Sequence, residues 1–169
     1  MALNQVFLEK ITLNIGVGEG GTALEMARKL LEMVSGRKPA STTARSRQPE
    51  FKIRQGDVIG AKVTLRGKGA SEVLEKALKS VEQHISEKSF DDYGNVAFGI
   101  KEYIDFPGLK YDPKIGMMGF DVCISLRKKG HRVANRRIAS RKLPRKQRVS
   151  KPEARAFLEK NYGVKFQAE

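Results

Sequence analysis

Between Val58 and Arg66 the chain alternates strictly. Val58, Gly60, Lys62, Thr64 and Arg66 share one parity, and Ile59, Ala61, Val63 and Leu65 share the other. A period of two sends successive side chains to opposite faces of a sheet. This strand therefore has one apolar, packed face and one polar, cationic face. The same pattern predicts a first strand over residues 6–17, with Ile11, Leu13, Ile15 and Val17 set against Thr12, Asn14 and Gly16. Further strands are expected over 95–102 and 118–127, the second with Phe120, Val122, Ile124 and Leu126 on one side. Two stretches switch to a helical period. In 22–35, Leu24, Ala27, Leu31 and Val34 recur with Leu30 beside them, and Gly36 provides a stop. In 71–86, Val73, Leu74, Ala77, Leu78, Val81 and Ile85 form the stripe, while Glu72, Glu75, Lys76, Lys79 and Glu82 face water. Met26 and Met33 are expected inside the core. A last helix is predicted over 151–162, with Pro152 in its first turn, Ala156, Phe157 and Tyr162 over a core edge, and Gly163 closing it.

The order is strand, helix, two strands, helix, two strands and a final helix. Helices interleaved with hairpins and half-polar strands argue for an α+β fold: a mainly antiparallel sheet with helices packed on one face and the other face free. Turns are expected at 91–94, where Asp91, Asp92 and Gly94 cluster, and around Asp105, Pro107, Gly108, Asp112 and Pro113. Residues 1–127 form the core domain in this reading. Residues 128–150 form a basic arm, and 151–169 a C-terminal helix and tail that pack back on the core.

Charge changes the picture more than composition does. The 169 residues carry a formal charge of +14, but 12 of the 33 Lys and Arg lie between Arg127 and Lys151, where there is no Asp or Glu. Elsewhere 21 basic residues face 19 acidic ones. A nearly neutral domain thus bears a segment of one sign, and such a segment gains by meeting a polyanion. Nucleic acid is the first candidate. An anionic membrane is disfavoured because no strong apolar face accompanies the charge. The start, MALNQVFLEK, lacks a charged region followed by a long apolar run, so no signal peptide is expected. One cysteine, Cys123, excludes an internal disulfide and a cysteine zinc site, suits a reducing compartment, and is expected to be a small buried residue of the last long strand. A short helix over 134–141 is expected to form in the arm on RNA.

The stretch GRKPASTTARSRQPEFKIRQGDVIGAKVTLRGKG, residues 36–69, concentrates the candidate chemistry. It is two strands joined by a basic loop at 44–54, which holds Arg45, Arg47, Lys52 and Arg54 against Glu50 alone, with Phe51 among them. A cationic strand face, a basic loop and one aromatic offer an RNA backbone its counter-charge and one base its stacking partner. The same residues equally describe a solvated sheet face with a mobile hairpin loop. Upstream, Gly16, Gly18 and Gly21 satisfy G-x-G-x-x-G between a strand and a helix, the dinucleotide fingerprint. The acidic residue that should follow about 20 positions on is absent; Arg37, Lys38 and Pro39 stand there. The glycines are therefore expected to serve a tight turn that brings backbone N–H groups toward phosphate. His84 and His131 have no companions at metal-ligand spacing, and neither a nucleophile elbow nor a P-loop occurs. No cofactor, metal or small-molecule substrate is expected, and the chain is not expected to be an enzyme.

The motifs EKITLNIGVGEG, GRKPASTTAR, FKIRQGDVIGAKVTLRG and KSFDDYGNVAFGIKEYIDFPGLKYD, in this order over residues 7–127, resemble the universal large-subunit ribosomal protein family called "L five". The resemblance implies a curved sheet with helices on its convex side and RNA against its other surface. It implies a cytoplasmic protein that anchors 5S rRNA in the central protuberance of the large subunit. The implied partners are large-subunit rRNA, the elbow of peptidyl-site tRNA, other central-protuberance proteins and a protein of the small-subunit head. Carried over by motif, Asn14, Phe51 and Thr64 are implied in 5S rRNA contact. Arg37 stands where many relatives have Gln, beside Lys38, and Lys62 and Arg66 complete that surface. Thr43, Arg45, Arg47 and Lys52 fall in the loop implied to reach tRNA. The arm residues Lys128, Lys129, Arg132, Arg136, Arg137, Arg141, Lys142, Arg145, Lys146 and Arg148 are expected on rRNA. The lack of an N-terminal helical extension and the long basic insertion resemble the archaeal and eukaryotic form, and the length favours an archaeal one.

Overall fold

The computed structural model describes residues 5–18 and 20–167. The elements are β1 Val6–Gly16, α1 Thr22–Ser35, β2 Ala40–Thr43, β3 Val58–Leu65, α2 Lys68–Ser80, β4 His84–Ser86, β5 Val96–Ile100, β6 Phe120–Lys128, α3 Arg132–Asn135, α4 Lys151–Tyr162 and β7 Lys165–Gln167. The alternation seen in the sequence builds a five-stranded antiparallel sheet in the order β2-β3-β1-β6-β5. Its inward residues include Ile11, Leu13, Ala61, Val63, Leu65, Val122, Ile124 and Leu126, all buried. Helix α1 packs on β3, and α2 and α4 pack on β1, so the helices and the inward sheet residues make one core. The fold is α+β, as the pattern requires.

Three local expectations need correction. The second helix ends at Ser80 rather than residue 86, because Glu82 and Gln83 take left-handed backbone (φ 52° and 61°). His84 and Ile85 then lie on β4, which pairs in parallel with β7 at the other end of the chain. Ile85 is still buried, so its helical periodicity was accidental. Met33 is 47% exposed, on the outer side of α1, while Met26 packs against the core. On α4 the buried residues are Ala154 and Leu158; Ala156 is exposed, and Phe157 and Tyr162 are half-buried against the core. In the arm, α3 is a single turn over Arg132–Asn135 that overlaps the stretch 134–141 expected to become helical on RNA.

Helix α4 is joined to β6 by an ion pair that sequence reasoning missed. Lys128 continues the inward parity of β6 and is only 7% exposed, and its Nζ donates to Glu153 Oε1 at 2.7 Å. Glu153 Oε2 also accepts from the Ser150 backbone N–H, closing a capping box. Burial pushes the Glu153 carboxyl up, but the bonds from Lys128 and Ser150 outweigh it and hold its pKa below the ordinary 4.5. The unfolded chain therefore takes up this proton first as pH falls. The contribution is complete above about pH 4.5 and is lost as pH drops through the lower folded value. Glu153→Gln should cost about 1 kcal/mol at pH 7, a modest figure because Glu153 is 42% exposed and screened. Urea midpoints of variant and wild type should converge as pH falls through the lowered folded value, once the carboxyl is protonated in both states. A gap unchanged across that range would mean the pair contributes nothing electrostatic.

Candidate nucleic-acid interface

The sheet face away from the helices carries small polar side chains in register. Thr64, Thr12, Cys123 and Ala97 form one row across four strands, and Ala40, Lys62, Asn14, Asp121 and Gly99 form the next across five. No side chain in these rows is longer than Lys62, and Lys62 and Asp121 are exposed while Thr12, Asn14, Thr64 and Cys123 are half-buried. Antiparallel neighbours lie about 5 Å apart, so the rows make a continuous floor of mostly short side chains, polar at Thr12, Asn14, Lys62, Thr64 and Asp121. Its charge is mixed: Asp121 stands beside Asn14, so the cationic face expected from Val58–Arg66 alone is only locally cationic. Arg66 lies just past the end of β3, exposed. Cys123 belongs to this floor and is half-buried, not part of the core; burial and the neighbouring Asp121 push its thiol pKa up.

Arg37 and Lys38 do not lie on the floor. They follow α1, and Lys38 lines a groove with Glu25, Arg28, Lys29 and Glu32 of that helix. Both are exposed, so they offer charge at the helix side of the β2 edge.

The loop after β2 is tied at its neck and folded at its tip. Ala44 N–H donates to Asp57 O at 2.8 Å, and Gly56 N–H donates to Ala44 O at 3.0 Å. Further out, Gln48 and Ile53 exchange backbone bonds of 2.9 and 3.1 Å around the turn Pro49–Phe51. Phe51 at this tip is 71% exposed. The chain bends at Arg45 and Ser46, so the two-residue spacing of Arg45 and Arg47 does not by itself align their side chains. Thr43, Arg45, Arg47 and Lys52 are all exposed.

The glycine turn meets this loop. Gly18, Gly20, Gly21, Phe51, Lys52 and Ile53 line a cleft of about 600 Å³. However, Val17 and Gly18 both donate their N–H groups to Ile59 O at 2.9 Å. Those two donors are spent on the sheet and are not offered to phosphate.

In the arm, no residue from Lys129 to Arg148 is buried, and the arm is pinned at its end by Val149, which is 4% exposed. Lys129, Arg132, Arg136, Arg137, Arg141, Lys142, Arg145 and Lys146 are exposed, as the sequence suggested. Lys128 is the exception: it turns inward to Glu153, because it sits at the last inward position of β6. His131 lies among these cations; burial and the nearby Arg127 lower its pKa against the opposing pull of Glu9.

Two family descriptions match the chain: "Ribosomal protein L5" over residues 2–54, and the C-terminus of the same ribosomal family over 58–166. Among similar proteins, one of Sulfurisphaera tokodaii is 49% identical over 96% of this chain and 92% of its own length. One of Methanosphaera stadtmanae is 45% identical over 96% of both chains. One of Thermoplasma acidophilum is 46% identical over 96% of both chains. Each of the three is named large ribosomal subunit protein uL5.

Proposed function

We propose, for a chain that belongs to the ribosomal protein L5 family and is a structural, non-catalytic constituent of the large ribosomal subunit, that the open sheet face holds 5S rRNA. The supporting observation is the floor itself. Thr12, Asn14, Lys62 and Thr64 stand in register on the outward parity of β1 and β3, opposite the residues that pack into the helix-covered core. Small hydroxyl and amide groups let a sugar–phosphate backbone approach closely, and backbone contacts fix register without reading sequence. RNA of defined shape is recognised in this way more than by its base edges. Phe51, exposed at the loop tip by the glycine turn, supplies an aromatic platform, Arg66 adds charge just past β3, and Arg37 and Lys38 add charge at the β2 edge.

The tied loop with Thr43, Arg45, Arg47 and Lys52 projects from the same end and has the charge to touch peptidyl-site tRNA. The arm from Lys129 to Arg148 carries a density of cations suited to large-subunit rRNA. The remaining partners in this reading are neighbouring proteins of the central protuberance and a protein of the small-subunit head.

Titration of 5S rRNA tests the central claim. Thr64→Ala and Asn14→Ala should each weaken binding about 2- to 10-fold, the worth of one hydrogen bond, and leave the thermal transition cooperative. With about six to eight phosphates neutralised, log K should fall with log salt at a slope of roughly −4 to −7. Unchanged affinity in both variants would remove the floor from the interface.

A further inference from the structure

Outside the floor and the loop, one more aromatic is held in a cationic setting. Tyr93 is 51% exposed, yet its backbone is fixed. Asp91 Oδ1 accepts from the N–H groups of Tyr93 at 2.9 Å and Asn95 at 2.7 Å, and Asp91 Oδ2 accepts from Asn95 Nδ2 at 2.6 Å. Gly94 takes φ +72° with Val149 packed directly over it; a Cβ there would come within 2.7 Å of Val149 Cγ1. Val149 is the residue that pins the end of the basic arm. The same contact that fixes the Tyr93 turn therefore brings the arm beside it. Arg148 lies with its guanidinium carbon 5.3 Å from the centre of the Tyr93 ring. Tyr93 borders two cavities. One, of about 320 Å³, also has Arg127, Arg141, Lys142 and Arg148 on its walls. The other, of about 420 Å³, has Arg145, Arg148 and one carboxylate, Asp92, which is engaged by Lys151 at 3.1 Å.

We propose that Tyr93, backed by Arg148 against one face of its ring, forms with it a stacking clamp whose other ring face takes one unpaired nucleotide of RNA, with Arg141, Lys142 and Arg145 holding its flanking phosphates. This rests on the reading of the arm as an rRNA-binding segment and adds the class of RNA it takes. A duplex buries its base faces and cannot offer one to a ring, so the clamp selects a single strand, loop or bulge. Stacking accepts any base, because every base has a π-face, and arginine adds a cation–π contribution. A pre-ordered ring loses little freedom when the base arrives.

The chain contains no tryptophan, so Tyr93→Trp creates a single fluorescent reporter at the clamp. The probes are a short single-stranded oligoadenylate and a blunt RNA duplex of equal charge, titrated into the full-length protein. The oligoadenylate should quench the Tyr93→Trp emission, and the duplex should not. Tyr93→Ala should weaken oligoadenylate binding about 5- to 150-fold with an unchanged salt slope. Arg148→Gln should weaken it and make the slope shallower by about 0.7. Equal quenching by the duplex, or an oligoadenylate affinity indifferent to Tyr93→Ala, would overturn the clamp. 5S rRNA binding is measured on the same variants. Its survival alongside either negative result removes the clamp alone, whereas failure of wild-type protein to bind 5S rRNA would remove the wider RNA reading.

Discussion

Gly60→Ala lowers stability by about 2–3 kcal/mol, the upper part of the range for forcing a methyl group into a packed site. The position leaves no room. An added Cβ would lie 2.5 Å from Ile15 O and 2.9 Å from Thr42 Oγ1. The first of these is backbone of the adjacent strand, where Ile15 and Gly16 pair with Ala61 and Gly60, so it cannot rotate away. The register of β2 against β3 also slips between Thr42 and Thr43, and such a bulge places two residues opposite one. Gly60 lets three strands converge at that point. Its neighbour Ile59 accepts both N–H groups of the turn after β1, so displacement would spread to the glycine turn. Urea unfolding should show the lower midpoint with an unchanged slope, and 5S rRNA affinity should fall with it if the floor is distorted. A loss below about 0.5 kcal/mol would mean that both β1 and β2 give way at Gly60 and that the floor is not rigid there.

Arg45→Ala/Arg47→Ala should loosen peptidyl-site tRNA on the ribosome by about 1–3 kcal/mol, the worth of two charge-assisted hydrogen bonds. It should leave 5S rRNA binding and subunit assembly close to wild type. Both side chains are exposed and neither takes part in the neck bonds between Ala44, Gly56 and Asp57, so the loop should keep its shape without them. The floor residues Asn14, Lys62 and Thr64 are on strands and are untouched by the change. Contacts from arginine to phosphate position a ligand and read no base, which suits a site that must accept every tRNA. Because the chain bends at Arg45 and Ser46, the two guanidinium groups need not meet neighbouring phosphates, so single variants should be measured beside the double. If 5S rRNA binding or assembly fails instead, the loop is part of the anchoring surface and the division between floor and loop is wrong.

The placement of the chemistry was legible to different degrees. Strand parity located the floor residues of β3 and β1, because burial of one face is enforced wherever a sheet carries helices on one side. The cationic character of that floor was overstated, because Asp121 enters it from a strand far along the chain from Asn14. Tyr93 was passed over as a turn residue; its signal was an Asp-x-x-Gly turn with an aromatic inside, which becomes meaningful only when Arg148 is brought to it.

From the sequence alone came the α+β class, the inward and outward sides of the long strands, the limits of α1 and α4, and the concentration of positive charge in residues 127–151. These follow from local period, helix stops and charge, which need no knowledge of what lies nearby. Tertiary structure alone decided the fate of residues whose neighbours are distant in the chain. Ile85 continued a helical stripe yet sits on β4, because residues 165–167 offer a strand to pair with and the left-handed Glu82 and Gln83 end the helix first. Lys128 belonged to a run of solvated cations by charge but to the core by strand parity. Parity prevailed because Glu153, 25 residues on, meets it with a carboxylate and satisfies the charge that burial would otherwise forbid.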